Sequence, residues 1–162
     1  MHKDLLYLVS SHLTDRDRLI LKLYCPTIYF KFIDNFKLCC INNIIISIKI
    51  LSLINNKLNW NFGLLFACIG GHRDLVHFVI EYGANDWNLG LQGSCQYGHR
   101  YLVDFMVEKG ANDWDGGLNY ACLGGHRDLV DFMIEKGADH WNMGLYYACR
   151  GGNRDLVDFM MC

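Results

Sequence analysis

Residues 60–86 read WNFGLLFACIGGHRDLVHFVIEYGAND, and the same phrase returns three more times at a fixed spacing of 27 residues. The later copies occupy residues 87–113, 114–140 and 141–162, the last of which is incomplete. Trp opens each copy, a Cys follows eight residues later, and an Arg follows five residues after that. A fixed period of roughly 20–50 residues is the sequence signature of stacked repeats. We therefore predict a repeat protein with four copies, numbered one to four along the chain.

Each copy is predicted to form a helix, a turn, a second helix and a loop. In copy one the first helix covers about residues 63–68, and Gly70-Gly71 supplies the turn because glycine tolerates positive φ. The second helix covers about residues 73–81 with one broad apolar face, and Gly83 ends it. Neither helix is long enough to stay folded singly. The predicted fold is therefore an all-α solenoid of stacked helix–turn–helix units.

The motif L-x-x-A-C-x-G-G-H-R-D-L-V-x-F-x-I-E-x-G-A-N in copy one resembles the ankyrin repeat, and the resemblance covers roughly residues 36–162. The matching positions in copy one are Leu64, Ala67, Gly71, His72, Leu75, Val76, Gly83 and Ala84. Ankyrin repeats have a period of about 33 residues. The roughly six missing residues fall between Ala84 and Leu91, where an ankyrin repeat builds a β-hairpin. The resemblance implies an ankyrin-like solenoid with truncated hairpin loops, similar to repeat families encoded by giant DNA viruses.

Residues 36–59 are interpreted as a degenerate capping repeat. Cys40 falls 27 residues before Ala67, and the apolar run 44–54 covers the position of the second helix. Terminal repeats are expected to be atypical because one of their faces lacks a neighbour. The β-branched residues in this run are also compatible with a strand. The register with the period favours a helix.

Residues 1–35 are predicted to form a small helical unit of three short segments, the second of which ends at Pro26. The leucine-rich first segment, the L-x-x-R-D junction at residues 13–17 and the aromatic third segment resemble an F-box. That resemblance implies docking on the linker subunit of a cullin-type ubiquitin ligase. The docking residues that it implies are Leu5, Val9, Leu13, Leu19 and Leu23. The alternative is a helical unit that only caps the repeats.

The composition is that of a globular protein: 162 residues, 52% hydrophobic and 20% charged. Residues 1–59 carry eight Lys and Arg against four Asp, whereas residues 60–162 carry seven basic against thirteen acidic residues. An acidic repeat region is a poor match to phosphate backbones, so no nucleic-acid partner is expected. The apolar run 44–54 is too short to span a membrane, and no secretory signal is recognisable. We expect an intracellular protein with no membrane partner, and the viral resemblance implies the host cytoplasm.

No enzymatic activity, cofactor or metal is expected. Equivalent positions in neighbouring repeats lie about 10 Å apart, too far for a disulfide between the repeated cysteines, so all eight cysteines are predicted to be free thiols. The same spacing keeps His72, His99 and His126 from sharing a metal. The ankyrin resemblance implies instead that these side chains hydrogen-bond a neighbouring loop, and Asn153 can do the same in copy four. No nucleophile–base pair or phosphate-binding loop stands out.

Differences between the copies indicate a candidate binding surface. Two first-helix positions change in every copy, whereas the apolar frame stays constant, and the ankyrin resemblance places these positions on a concave face. The predicted protein-binding residues are Leu65, Ile69, Gln92, Gln96, Asn119, Leu123, Tyr146 and Arg150. Unconstrained drift of these sites is the alternative. For the four tryptophans we favour packing over an aromatic binding strip, because such a strip would be an aggregation hazard.

The predicted function is that of a protein–protein interaction module. One hypothesis is a substrate-recruiting adaptor for a host cullin-type ubiquitin ligase. The alternative is a plain ankyrin scaffold or inhibitor that binds one target protein with no link to a ligase.

Copy four stops at Cys162, before the Gly-Ala that follows the second helix in the other copies. Its second helix, from about Arg154, is therefore expected to fray and to expose an apolar face. We expect that face either to recruit another protein or to drive self-association.

Overall fold

The computed structural model describes residues 59–161, and this range contains eight α-helices and no strand. First and second helices alternate: α1 Trp60–Ile69, α2 Arg73–Glu81, α3 Trp87–Gln96, α4 Arg100–Lys109, α5 Trp114–Gly124, α6 Arg127–Glu135, α7 Trp141–Gly151 and α8 Arg154–Met160. Over these residues the predicted all-α solenoid of helix–turn–helix repeats is confirmed. None of these eight helices is long and apolar enough to cross a membrane.

The chain divides into two compact units, Met1–Leu58 and Asn59–Cys162, and the second unit contains all the helices given above. The predicted N-terminal unit, the degenerate capping repeat up to residue 58, and Cys162 lie outside the described residues. The residues predicted to dock on a ligase subunit fall there too. They are Leu5, Val9, Leu13, Leu19 and Leu23.

The first helices begin three residues earlier than predicted, at the tryptophan itself. The reason is an N-cap that the periodicity did not reveal. The Asp86 carboxylate accepts a hydrogen bond from the backbone N–H of Leu89, and Asp113 accepts one from Gly116, both at 3.0 Å. These caps satisfy N–H groups that the helix itself leaves unpaired, so the helix starts directly after the acidic residue.

The helix α2 has the predicted bounds and α8 the predicted start, and the links around the second helices are short. The turn between the two helices of a copy closes on a glycine with positive φ, which is +70° at Gly71 and +72° at Gly98. A further glycine with positive φ follows each of α2, α4 and α6. Three residues then lead into the next first helix without a strand. The prediction of tight loops without a β-hairpin is therefore confirmed at all three such loops between residues 59 and 161.

The core lies between the two helix layers, where one leucine of each helix is almost fully buried in copies one to three. These leucines are Leu64, Leu75, Leu91, Leu102, Leu118 and Leu129. Successive first helices pack directly on one another, whereas second helices of neighbouring copies approach each other less closely. We call the side of the repeat unit on which the first helices lie its inner side.

The second-helix layer is joined across copies by arginine–aromatic stacking. The guanidinium carbon of Arg100 lies 4.2 Å from the ring centroid of Phe132 in the next copy, and that of Arg127 lies 3.4 Å from Phe159. Arg100 and Arg127 also form ion pairs with Asp104 and Asp131, at 3.0 and 2.9 Å, one turn along their own helix. These exposed ion pairs contribute only a few tenths of a kcal/mol. Their further effect is to hold each guanidinium over the neighbouring ring.

Candidate protein-interaction surface

The inner surface consists of four positions on each first helix that point away from the second helices. In α1 these are Phe62, Leu65, Phe66 and Ile69, while the intervening Leu64 and Ala67 are buried. The spacing of about 3.6 residues per turn places all four on one side of the helix. The remaining members are Leu89, Gln92, Gly93, Gln96, Gly116, Asn119, Tyr120, Leu123, Met143, Tyr146, Tyr147 and Arg150. All eight predicted protein-binding residues therefore lie on this one surface.

The exposure of the predicted residues differs along the stack. The six in copies one to three are half-buried, because each packs beside the first helix of a neighbouring copy. Leu65 is an example: a β-carbon on Gly93 of the next copy would lie 3.0 Å from its Cδ1 atom. Tyr146 and Arg150 in copy four are exposed, and 56% of Tyr146 is accessible to solvent. The most accessible part of the inner surface is therefore at copy four.

Two tyrosines that the sequence analysis did not select also belong to this surface. The ring of Tyr120 lies 5.8 Å from that of Tyr147, and Tyr147 meets Tyr146 edge to face at 5.5 Å between centroids. The sequence contains a sign of this role, because the repeat position of Tyr120 and Tyr147 also varies between copies. It is occupied by Phe66, Gly93, Tyr120 and Tyr147 in copies one to four. We define Tyr120, Tyr146 and Tyr147 as the tyrosine cluster.

Charge is distributed very unequally between the two layers. The four first helices carry only two charged side chains, Asp115 and Arg150, whereas every second helix carries at least three. Of the two, only Arg150 lies on the inner surface. Apart from Asp115, the acidic residues of the repeats thus lie on the second helices and in the loops. The inner surface is left apolar, aromatic and amide-bearing.

Two polar residues of the inner surface differ in how their hydrogen-bonding groups are satisfied. Gln92 donates a 3.0 Å hydrogen bond to Asp113, the N-cap of the following first helix. Asn119 occupies the same position in copy three, but its side chain is one methylene shorter than that of Gln92. The following first helix, α7, has His140 rather than an Asp as its N-cap. The buried Oδ1 atom of Asn119 has no hydrogen-bond partner. A buried acceptor without a donor costs free energy, so the polar side chain at this position is less well satisfied in copy three than in copy two.

The predicted structural role of the repeated histidine position is confirmed at two junctions between copies. The Nε2 atom of His99 lies 3.1 Å from the carbonyl oxygen of Ile69 in the preceding copy. Asn153 donates to the carbonyl oxygens of Cys122 and Leu123 at 2.7 and 3.0 Å. Both residues are N-caps of second helices, yet neither side chain caps its own helix. The side chain is directed to the preceding copy instead.

A second contact between copies was not predicted. In copies one to three the side chain after the tryptophan accepts two hydrogen bonds from consecutive backbone N–H groups in the next loop. Asn61 accepts from Asn85 and Asp86 at 2.8 and 3.1 Å, and the same arrangement recurs at the next two junctions. The later acceptors are Asn88, for Asn112 and Asp113, and Asp115, for Asp139 and His140. We call this contact the loop clamp.

The third loop clamp brings Asp115, Asp139 and His140 together, with one nitrogen or oxygen atom of each within 4.8 Å of the others. At each of the two earlier clamps the three equivalent positions are occupied by two Asn residues and one Asp. Burial of the Asp115 carboxyl group raises its pKa, but hydrogen bonds from the backbone of His140 and Asp139 and the charge of His140 outweigh this, and the pKa is lowered overall. The carboxylate already accepts two N–H groups, so the loop clamp accounts for the cluster.

Every cysteine between residues 59 and 161 is a free thiol, as predicted. Cys68, Cys95 and Cys122 are buried, and burial raises the pKa of each thiol to about 12. Cys149 at the same repeat position is exposed. A buried thiol with a raised pKa is a small apolar core group, so the first three cysteines are packing residues.

The tryptophans of copies one to three are half-buried. Trp60 packs against two aromatic rings of its own second-helix region, at 6.3 Å from Phe78 and 5.0 Å from Tyr82 between centroids. These contacts agree with the packing role that the sequence favoured. Trp141 is 42% exposed.

No protein-family model matches the chain, and a search of curated proteins gives no match either. The functional inference therefore rests on the residues of this chain.

Proposed function

We propose that the repeats are a protein-interaction module that binds a target protein through the inner surface. The observation that carries this proposal is the contrast between a constant frame and a changing surface on the same helices. Leu64, Leu91 and Leu118 are fully buried equivalents, whereas the residues that follow them are Leu65, Gln92 and Asn119. In copy four the corresponding residue is Tyr146. One scaffold thus presents a different side chain at each step.

The composition of the inner surface supports this role. Protein interfaces are depleted of charge at their centre and enriched in Tyr, Trp, Phe, Met and Arg. The inner surface has one charged residue, Arg150, and it carries the tyrosine cluster together with Phe62, Phe66 and Met143. Phe62, Met143 and Tyr146 are each about half exposed. Tyrosine and arginine are also frequent among residues that dominate binding free energy.

The second-helix side fits a solvent-facing role. Its charged residues include the ion pairs Arg100–Asp104 and Arg127–Asp131, whose side chains remain about half exposed. The repeat region carries thirteen acidic against seven basic residues, which disfavours nucleic acid as the ligand. A protein target bound to the inner surface is therefore consistent with the nearly uncharged first-helix layer and with the charged second-helix layer.

We further propose that the chain is an ankyrin-like adaptor that recruits its target to a host cullin-type ubiquitin ligase. Its support is the F-box resemblance of residues 1–35 and the ankyrin resemblance of the repeats, including the similarity to repeat families of giant DNA viruses. The adaptor role implies action in the host cytoplasm. The second candidate is an ankyrin scaffold or inhibitor without a ligase link, in which residues 1–35 cap the stack. The charge contrast between the two layers favours neither over the other.

The binding surface is tested by photo-crosslinking in lysate of a candidate host cell. A photoreactive phenylalanine analogue is placed at Tyr146 or, as the matched control, at Asp128 on the second-helix side. Both positions are exposed, so both report on neighbours equally well. We expect the same discrete target band from Tyr146 and not from Asp128, and loss of this band in Tyr147→Ala. Equal crosslinking from both positions would contradict the inner surface as the binding site.

The ligase link is tested separately with the purified linker subunit of a cullin-type ligase. The full chain is expected to retain this subunit, Leu19→Asp is expected to lose it, and Tyr146→Ala is expected to keep it. Because Leu19 lies outside the described repeats, circular dichroism of the Leu19→Asp variant must show unchanged helix content. If the unmodified chain fails to retain the subunit, the scaffold or inhibitor is the correct interpretation.

A further inference from the structure

The turns between the first and second helices of each copy lie along one edge of the repeat unit, which we call the turn edge. It consists of residues 70–74, 97–101, 124–128 and 151–155. Copies one and three read Gly-Gly-His-Arg-Asp over these five positions, and copy four differs only by Asn in place of His. Copy two reads Tyr-Gly-His-Arg-Tyr. Two tyrosines therefore stand where the other copies have Gly and Asp.

The packing of the repeats does not explain these two tyrosines. Tyr97 is 50% and Tyr101 47% exposed, so neither ring is part of the core. In copy three the position of Tyr97 has no room for a side chain, because a β-carbon on Gly124 would clash with the carbonyl oxygen of Gln96. Tyr97 follows the end of α3, whereas Gly124 is the last residue of α5. The turn of copy two therefore presents an exposed ring that the turn of copy three excludes.

Arg73, in the preceding copy, lacks the partners that its equivalents have. Arg100 and Arg127 each pair with an Asp one helical turn later and stack on a Phe of the next copy. One turn after Arg73 the residue is His77, and it is the His77 ring that meets Phe105, at 5.0 Å between centroids. Within residues 59–161 the exposed Arg73 forms no ion pair and no aromatic stack. Its charge is therefore available to a ligand.

Arg73 and the two tyrosines lie around neighbouring turns. The Tyr101 hydroxyl donates a hydrogen bond to the carbonyl oxygen of Gly71, two residues before Arg73. Burial raises the pKa of Tyr101, and the charge of Arg73 acts against this rise, which places the guanidinium near that hydroxyl. Tyr97 directly follows Gln96, a member of the inner surface. We call Arg73, Tyr97 and Tyr101 the turn patch, and it is continuous with the inner surface.

We infer that the turn patch is a second contact for the target of the inner surface, and that it binds a side-chain carboxylate of that target. This inference rests on the proposed function and adds the chemistry of one recognised group. The planar guanidinium of Arg73 offers N–H donors to both oxygens of a carboxylate. The two half-exposed rings offer apolar contact beside it, and Tyr and Arg are frequent among residues that dominate binding free energy.

The charges around the turn patch favour a carboxylate over a phosphate. Arg73 is a single cation, and it matches the single negative charge of an Asp or Glu side chain. A phosphoryl group carries a charge of about −1.5 to −2 at neutral pH. Its additional charge would be repelled by the exposed Asp74, which follows Arg73 in the chain.

The inference is tested with the photoreactive phenylalanine analogue at position 97 of the full chain, in the lysate used for the Tyr146 variant. We expect Tyr97 and Tyr146 to crosslink the same target band. Arg73→Gln should lower the yield from position 97 roughly tenfold, because the target's carboxylate loses its charged donor. Arg127→Gln, at the same repeat position in copy three, is the matched control and should leave this yield unchanged. Thermal unfolding of Arg73→Gln should match that of the unmodified chain.

Peptide mapping of the crosslinked target identifies the group that is bound. The peptide attached at position 97 should contain an Asp or Glu. Changing that residue to Asn or Gln should lower the yield in the chain with Arg73 but not in Arg73→Gln.

The outcomes separate this inference from the proposed function. A band from Tyr146 but none from Tyr97, or a yield from position 97 that Arg73→Gln leaves unchanged, would overturn the inference and leave the proposed function intact. If phosphatase treatment of the lysate abolishes the yield that depends on Arg73, the bound group is a phosphate and the inference is wrong. If Tyr146 gives no band, the proposed function fails and the inference fails with it.

Discussion

The imidazole of His126 lies so close to Gly98 that a β-carbon built on Gly98 would stand 2.5 Å from the ring carbon Cε1. The same relation joins His99 to Gly71, and Asn153 to Gly125. Each glycine also has a positive φ that other residues adopt at a cost. The turn glycine therefore serves two purposes: it permits the turn, and it makes room for the side chain that closes the junction.

Gly98→Ala and Gly152→Ala should differ in their effect on stability. Both positions have nearly the same φ, +72° and +73°, so both substitutions introduce the same backbone strain. Only Gly98 has a side chain against it. We expect Gly98→Ala to lower the free energy of unfolding by about 1–3 kcal/mol more than Gly152→Ala, because it also displaces His126. Urea unfolding measures both, and equal losses would contradict the junction contact.

Leu129→Ala should destabilise the repeats strongly. Leu129 is fully buried in α6, and its removal leaves a cavity between the two helix layers. The expected loss is about 2–5 kcal/mol in the free energy of unfolding. Exposed Glu135→Ala in the same helix serves as the control, with an expected change within about 0.5 kcal/mol. A thermal unfolding curve that barely moves for Leu129→Ala would show that the register of the repeats is wrong.

Asn88→Ala should open the second loop clamp. The substitution removes the acceptor for the N–H groups of Asn112 and Asp113, at an expected cost of about 1–2 kcal/mol. The chain itself supplies the control, because Asp115 performs the same function at the next junction. Asn88→Asp should therefore remain close to the unmodified protein at neutral pH. A loss as large as that of Asn88→Ala would mean that the acceptor oxygen is not what matters.

The third loop clamp should weaken in acid. The pKa of Asp115 is lowered in the folded protein, so its carboxylate stabilises the fold above the ordinary pKa of 3.8, and this contribution is lost as the pH falls through the folded value. Asp115→Asn should keep both hydrogen bonds, as Asn61 and Asn88 do, while removing the titration. Hydrogen exchange at Asp139 and His140 between pH 3 and pH 5 should depend on pH less steeply in Asp115→Asn than in the unmodified protein.

Cysteine alkylation should separate the repeated thiols. At pH 8 Cys149 should react roughly 100-fold faster than Cys68, Cys95 and Cys122, because burial and a pKa of about 12 leave almost no accessible thiolate at the other three. Peptide mapping after a short exposure gives the four rates. Under denaturing, non-reducing conditions all eight thiols should titrate, and a count of four or fewer would contradict the free-thiol prediction for the whole chain.

The period and the glycines were sufficient to predict the architecture. The bounds of α2 follow from its apolar spacing and from the glycine after it, and the local sequence determines both. The start of α1 was missed by three residues, because Asn59 and its equivalents were not recognised as N-caps. The second-helix N-caps show a further limit of sequence reasoning. His99 has the right position to cap α4, yet its side chain turns to the preceding copy.

The candidate surface was only partly predictable for a related reason. Variation between copies identified Gln92 and Asn119, but it could not show that Gln92 donates a hydrogen bond to a residue 21 positions away whereas the Asn119 oxygen has no partner. The loop clamp could not be predicted, because Asn61 and Asn85 are both ordinary polar residues in the sequence. Only the packed repeats show that the side chain of Asn61 binds the backbone of Asn85, 24 residues further along the chain. Contacts between copies depend on how the repeats pack on one another, and the residue types in the sequence do not show this packing.

The loop clamp has a consequence for how such a chain can change over generations. Because Asn61, Asn88 and Asp115 each bind the following loop through the same two backbone N–H groups, a junction does not depend on which two copies meet there. An unequal genetic exchange that removes or duplicates 27 residues anywhere in the repeats would therefore join compatible faces. The number of copies, and with it the length of the inner surface, can be altered in a single event without disturbing the fold.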